Sequence, residues 1–277
     1  MCRVLTVSRS GYADWLKRPP SVRQVENAHI LVRARAAHKA SNGTYGSPRI
    51  HLDLLAEGIS CGVNRLARIM EVGQITARPL RRFAAATDSK HRRPVAANLL
   101  NRDFRVAEPD TVWSADITYI WTREGWLYLA VVLDLFNREV VGWSMQKDID
   151  QTMVIAAMRG ALANRRPRPG LICHSDRGSQ YAGAEYRALL EGAKAKCSMS
   201  RRGNCYDNAP VESFFSTLKR EIVHRRQFGT RAEAKAAVFQ WIVAWYNSKR
   251  RHSTLDFMSP EQFGRRHKLA TAKIMAA

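Results

Sequence analysis

The chain has 277 residues, room for one large domain or two modest ones, and its apolar fraction of 45%, with seven Trp, can build a core. Lysine and arginine total 45 against 24 acidic residues; the resulting charge of +21 calls for a polyanionic partner, nucleic acid or an anionic membrane surface. No run approaches the ~18 apolar residues of a membrane span, the start Met1-Cys2-Arg3-Val4-Leu5-Thr6 lacks a signal core, and five scattered Cys without a Cys-x-x-Cys pair indicate neither a disulfide framework nor a zinc finger.

A reducing cytoplasm is therefore expected. Residues 1–77 carry helical patterning. Arg49 to Leu55 reads as a short helix ending at Gly58, and a second begins near Gly62, with Val63, Leu66, Ile69 and Met70 on one side, and stops at Gly73. Arg65 and Arg68 lie three apart on its other side. Two short helices about a Gly-containing turn fit a helix-turn-helix whose second helix reads DNA; a small bundle with a solvated basic face fits the pattern equally.

Residues 78–108 are basic and weakly patterned, with Arg78, Arg81, Arg82, Lys90, Arg92, Arg93, Arg102 and Arg105, and Pro79 and Pro94 interrupt them. They read as a linker able to follow phosphates, or as a solvated tether.

From about Pro109 the period changes. Thr111 to Ile120 alternates, with Trp113, Ala115, Ile117 and Tyr119 opposite Asp116 and Thr118. Trp126 to Leu135 is a nearly continuous apolar run suited to a buried strand, and Glu139 to Met145 reads as its hairpin partner. A helix over 151–164, a strand over 171–175, a helix over about 184–191 and a strand over 196–199 follow. Two helices close the region; Thr230 and Glu233 form a capping box, and Ala234, Val238, Trp241, Ile242 and Trp245 make an apolar stripe. The class is α/β, a mixed sheet flanked by helices.

Three acidic residues stand out. Asp116 interrupts a strand, where Asp is disfavoured. Asp176 directly follows one, and Glu212 lies in the first turn of a helix whose start is marked by Asp207, Asn208 and Pro210. Val211, Phe214, Phe215, Leu218 and Ile222 form that helix's buried stripe, while Glu212, Ser216 and Lys219 share a neighbouring face. Phosphodiester transfer develops charge on attacking and leaving oxygens, which two divalent cations held by carboxylates can stabilise. Singly, an Asp at a strand end is more often a turn former or cap than a ligand, and a Glu in a helix's first turn more often serves the helix dipole; Asp116 is the least easily read that way.

These residues carry a resemblance. Between Asp176 and Glu212 lie 35 residues, the D,D(35)E spacing of transposases and retroviral integrases, and Lys219 is the basic residue seven beyond the Glu. The words Trp113-Ser-Ala-Asp116-Ile-Thr-Tyr-Ile120, His174-Ser-Asp176-Arg-Gly-Ser-Gln-Tyr181, Tyr206-Asp-Asn-Ala-Pro-Val-Glu212 and Trp245-Tyr-Asn-Ser-Lys-Arg-Arg-His252-Ser resemble the OrfB transposases of the insertion-sequence-three family. So does Gly125 to Asp134, and the likeness extends from Met1 through the closing Ser259-Pro260-Glu261-Gln262-Phe263.

The resemblance implies a ribonuclease H-like integrase core with a mixed five-stranded sheet over 109–265, a preceding helix-turn-helix at about 45–75, and a tail over 266–277. It implies that Asp116, Asp176 and Glu212 hold two Mg2+ ions, with Mn2+ a possible substitute. Lys219 would contact the terminal phosphates, and Arg65, Arg68, Tyr181, Lys249, Arg250 and Arg251 are further candidate DNA contacts; Tyr181 otherwise belongs to the turn into the next helix, and the 249–252 run is otherwise a solvated helix end. Implied partners are element ends and target DNA, an upstream OrfA segment, and further copies on DNA; no membrane is implied. Asn137 and Asp256 stand where the family often has Ser and Gly.

His174 orients a ligand or approaches DNA, or is a packed strand histidine. Asp134 is structural, and Trp241 and Trp245 are core. The alternatives to a transposase are a non-catalytic DNA-binding regulator and a hydrolytic nuclease of the same fold.

Overall fold

The structure is a computed structural model that describes residues 2–77, 94–201 and 205–275. The chain divides into two compact units, Met1–Pro79 and Leu80–Ala277.

In the first unit, α1 (Arg9–Lys17) is capped by Ser8, and α2 (Val22–Ala40) opens with a capping box between Ser21 and Gln24. Helices α3 (Ser47–Ala56) and α4 (Val63–Val72) match the expected pair, α4 running from Gly62 to Gly73. Gly58 turns the chain at φ +80°, a conformation that favours glycine, and His51 Nε2 contacts the Cys61 carbonyl at 2.7 Å across the turn. Helices α2, α3 and α4 pack together around Ile30, Ala34, Ile50, Leu54, Leu66, Ile69 and Met70.

The second unit holds a five-stranded sheet in the order β3-β2-β1-β4-β5. Strands β1 (Val112–Thr122), β2 (Gly125–Asp134) and β3 (Val140–Gln146) form an antiparallel meander; β4 (Ile172–Ser175) and β5 (Lys196–Met199) add in parallel beside β1. Helices α5 (Gln151–Arg165) and α6 (Ala184–Gly192) supply the crossovers. Gly142 on β3 lets α5 approach closely, because a Cβ there would collide with the Ala157 carbonyl and Ala161.

Each sheet face carries its own core. Trp113, Ala115, Ala130 and Val132 pack with α5 and α6 through Met153, Met158 and Tyr186. Ile120, Leu127, Leu129 and Val131 pack with α7 (Ala209–Glu221) and α8 (Arg231–Gln240). That is the alternation read along β1.

Four expectations need correction. Residues 94–108 are not a free tether: Leu100 is buried in the core, and Arg102 pairs with the buried Asp207 at 2.8 Å. The linker's Arg78, Arg81, Arg82, Lys90, Arg92 and Arg93 lie outside the described residues. At Thr230 only half the capping box forms, since Glu233 accepts from the Gly229 N–H instead of closing back on Thr230. The last apolar stripe leaves α-helical geometry after Gln240 and continues as a π-helical segment, Trp241–Asn247. The expected tail belongs to α9 (Pro260–Met275), which crosses the proposed boundary at residue 265. Asp256 sits at φ +52°, a backbone conformation that favours glycine.

Candidate active site

Strand register places the first two carboxylates. Ala115 of β1 pairs with Ser175, the last residue of the parallel strand β4, so Asp116 and Asp176 directly follow a matched pair. Neighbouring strands run about 4.8 Å apart, and laterally matched residues point to the same face. Each carboxylate is oriented by a backbone amide: Asp116 Oδ1 accepts from the Ile117 N–H at 2.7 Å, and Asp176 Oδ1 from the Gly178 N–H at 2.9 Å. A Cβ on Gly178 would stand 3.0 Å from Asp176 Oδ1, a tight contact that would press on this carboxylate.

The third carboxylate arrives on α7. Asn208, at its amino-terminal end, accepts from the Ser114 hydroxyl and donates from Nδ2 to the Ala115 carbonyl at 3.2 Å. Both partners immediately precede Asp116 on β1, so one side chain ties the start of the Glu212 helix to the strand bearing the first carboxylate. Asp207 beside it is buried and bound by Arg201, Asn98 and Arg102. The Arg201 guanidinium and these other donors hold its carboxyl far below the usual range.

The electrostatics tie the group together. Asp116 is pushed well above the ordinary carboxylate range by burial first, then by the charge of Asp176, and further by that of Glu212; the Ile117 amide and Lys219 act in the opposite direction. Burial also raises Glu212. Burial lowers Lys219, and Asp116 partly restores it. Lys219 Nζ lies 4.5 Å from the centre of the Tyr119 ring. Even so, among the described residues no group of three or more His, Cys, Asp and Glu side chains is close enough to hold a metal ion. Asp116 thus feels the charge of both other carboxylates, although the three are not closed into a coordination shell.

Other candidates fall elsewhere. Tyr181 is 1% exposed and packs edge-on against Tyr186; it offers DNA no surface, and its expected contact is withdrawn. Arg250 is withdrawn too, being buried with Nε 2.9 Å from Glu221 Oε1. Lys249 is exposed, whereas Arg251 is half-buried and donates to the Phe257 carbonyl at 3.2 Å. Arg68 is exposed on α4, while Arg65 is engaged by Glu26 and Asn27 of α2. His174 is a packed strand histidine between Ser198 Oγ (2.9 Å) and Ser200 Oγ (3.1 Å), and burial lowers it to about 4. Asp134 is buried at a strand end, hydrogen-bonded by Phe136, Asp110 and Arg165. Trp241 and Trp245 both donate to Glu221 Oε2 at 3.1 Å and are core. Sequence reasoning treated Asn208 only as a helix-start marker; its signal was an amide residue directly preceding the Ala-Pro that opens the Glu212 helix.

Comparison with known proteins places the chain in a family. Integrase core domain families match residues 106–205 and 193–260, and an HTH-like domain family matches residues 24–83. With the sheet order and the separate helical unit, these matches define a polynucleotidyl-transferase type of enzyme built on a ribonuclease H-like integrase core. The chain is 43% identical over 263 residues to the insertion element IS600 uncharacterized 31 kDa protein of Shigella sonnei, covering 95% of this chain and 97% of that protein. It is 42% identical over 265 residues to the transposase InsF for insertion sequence IS3A of Escherichia coli (strain K12), covering 95% and 92%. A weaker likeness, with TM-score 0.48 and 15% identity, links 83% of this chain to 73% of a chain in the simian T-cell lymphotropic virus intasome structure with PP2A regulatory subunit B56 gamma. The chain belongs to the OrfB transposases of the insertion-sequence-three family.

Proposed function

We propose that this transposase binds the ends of its element and cleaves and transfers DNA strands in a metal-dependent reaction, with Asp116, Asp176 and Glu212 as the ligands. The observation that carries the reading is the β1–β4 register, whose last matched pair, Ala115 and Ser175, directly precedes Asp116 and Asp176, joined to a helix start that Asn208 ties to the same strand.

The donor set suits Mg2+, or Mn2+ in its place, because hard divalent ions take carboxylate oxygens. Asp116 is raised in part by two neighbouring negative charges, a field that added positive charge relieves. When bound, a pair of such ions supplies charge stabilisation at the attacking and leaving oxygens of an in-line displacement. The chain's own residues orient the carboxylates through the Ile117 and Gly178 amides and set a cation, Lys219, beside them for a phosphate. Helix α4, with exposed Arg68, is the proposed DNA reader of the first unit, and Lys249 and Arg251 are further proposed phosphate contacts. The proposed partners are the element's terminal repeats, target DNA, further copies of the chain on DNA, and an upstream OrfA segment; the proposed location is the cytoplasm. No helix among the described residues is long and apolar enough to cross a membrane.

The test is a strand-transfer assay on labelled element ends in Mg2+. Asp116→Asn, Asp176→Asn and Glu212→Gln should each lower the rate by roughly a thousandfold or more while end binding stays within about threefold. Transfer retained by any one of them overturns the assignment of that residue.

A further inference from the structure

The β1–β2 hairpin outruns the rest of the sheet. β4 pairs with β1 only from Val112 to Ala115, and β3 pairs with β2 no nearer the turn than Tyr128. One face of the hairpin tip is covered, with Ile120 and Leu127 fully buried. The other face is bare: Tyr119, Trp121 and Trp126 are 47%, 58% and 42% exposed.

These three rings form one group. Trp126 lies directly opposite Trp121 in the register, with ring centres 4.8 Å apart, and its ring is 5.0 Å from that of Tyr119, both contacts edge-on. Such contacts fix the rings mutually without stacking them face to face. A solvent-exposed strand face needs no large aromatics, and leaving three of them in water forgoes their burial. The group also begins at the candidate active site, since the ammonium of Lys219 lies over Tyr119 and interacts with Asp116. Exposed Arg123 stands at the turn of the hairpin.

An aromatic surface with a cation over one ring and Arg123 in the adjoining turn, in a chain of charge +21, suits a ligand with flat apolar faces on an anionic backbone. We propose that Tyr119, Trp121 and Trp126 form a stacking platform for unpaired nucleobases of the DNA strand whose phosphates run past Lys219. This rests on the strand-transfer reading and adds to it a subsite for a frayed or single-stranded end. A protein partner would use the apolar rings but would leave the flanking cations unanswered.

The test is equilibrium binding of the full chain in EDTA, where no strand is cut. Three probes carry the element's terminal duplex: one blunt, one with a three-nucleotide single-stranded tail at the terminus, and one with that tail abasic. The wild type should favour the tailed DNA. The Trp121→Ala/Trp126→Ala double variant should lose about tenfold on it, and less than about twofold on the blunt and abasic probes. The Trp121→Phe/Trp126→Phe double variant should recover most of the loss. Equal losses on all three probes, no loss on any, or an altered oligomeric state with tail preference intact would overturn the platform. The strand-transfer reading fails separately, through carboxylate variants that still join strands.

Discussion

Ser114 and Asn208 join side chain to side chain between the strand that carries Asp116 and the helix that carries Glu212. Both residues are buried, and Asn208 also donates to the Ala115 carbonyl. One amide group therefore ties the strand of the first carboxylate to the helix of the third, beside the apolar packing of α7 on the sheet.

Asn208→Ala removes an acceptor and a donor from a buried site and leaves the Ser114 hydroxyl and the Ala115 carbonyl without these partners. It should cost about 1–3 kcal/mol of stability. A purely structural residue would do no more. As a positioning residue, Asn208 should also raise the Mg2+ concentration needed for half-maximal strand transfer, measured well below the variant's melting temperature. Unchanged metal dependence would limit Asn208 to a stability role.

Asp134 gives the protein a pH dependence of defined sign. Burial, its largest influence, raises the carboxyl to about 6 from an ordinary 3.8, against the amides of Phe136 and Asp110. The folded state thus keeps a proton that the unfolded state has released, and stability falls as pH rises through that window. The loss should be on the order of 3 kcal/mol, complete above about pH 6. Urea unfolding of wild type and Asp134→Asn at several pH values between 4 and 7 isolates it: the wild type should lose stability relative to the variant across the window. A constant difference would contradict the assignment.

The carboxyl end of α7 is held by a buried ion pair. Glu221 accepts from Arg250, Trp241 and Trp245, so three donors from the π-helical region and its end meet one carboxylate. Removing one charge of such a pair strands the other. Arg250→Met should therefore destabilise by about 3–5 kcal/mol, and the Glu221→Leu/Arg250→Met double variant by clearly less. Thermal melting of the three proteins measures it; a double variant as unstable as the single one would show that packing, not charge, sets the cost.

On α4 the two arginines should separate. Arg68→Ala should weaken DNA binding and lower the magnitude of the salt slope, log affinity against log salt, by about 1 if it contacts one phosphate. Arg65 pairs with Glu26 across the unit at 2.8 Å, a partly exposed contact worth no more than about 1 kcal/mol, so Arg65→Ala should act first on stability. Affinity measured between 50 and 200 mM salt distinguishes them.

Periodic burial was legible along the chain. The β1 alternation, the continuous apolar β2, the Gly62–Gly73 bounds of α4 and the buried stripe of α7 all follow from one-dimensional pattern. Pattern says nothing about long-range polar partners. Arg102 looked like a phosphate follower because its partner Asp207 lies 105 residues away, and Arg250 looked solvated because Glu221 lies 29 residues back. Tyr181 was misjudged for a related reason: a turn residue beside a candidate ligand reads as exposed until α6 covers it. The positions of Asp116 and Asp176 could be read as strand features, but their coming after one matched pair depends on β4 choosing β1 as its neighbour, and Asn208's link depends on the fold closing over β1.

The central claim is that Asp116, Asp176 and Glu212 share the metal ions used in strand transfer. Anomalous scattering from Mn2+ in crystals of the protein bound to element-end DNA tests it most directly. Two ions about 4 Å apart, each touching carboxylate oxygens of this trio, with all three residues engaged, are the predicted result. Ions bound away from these residues, or a shell that leaves Glu212 out when DNA is in place, would contradict it.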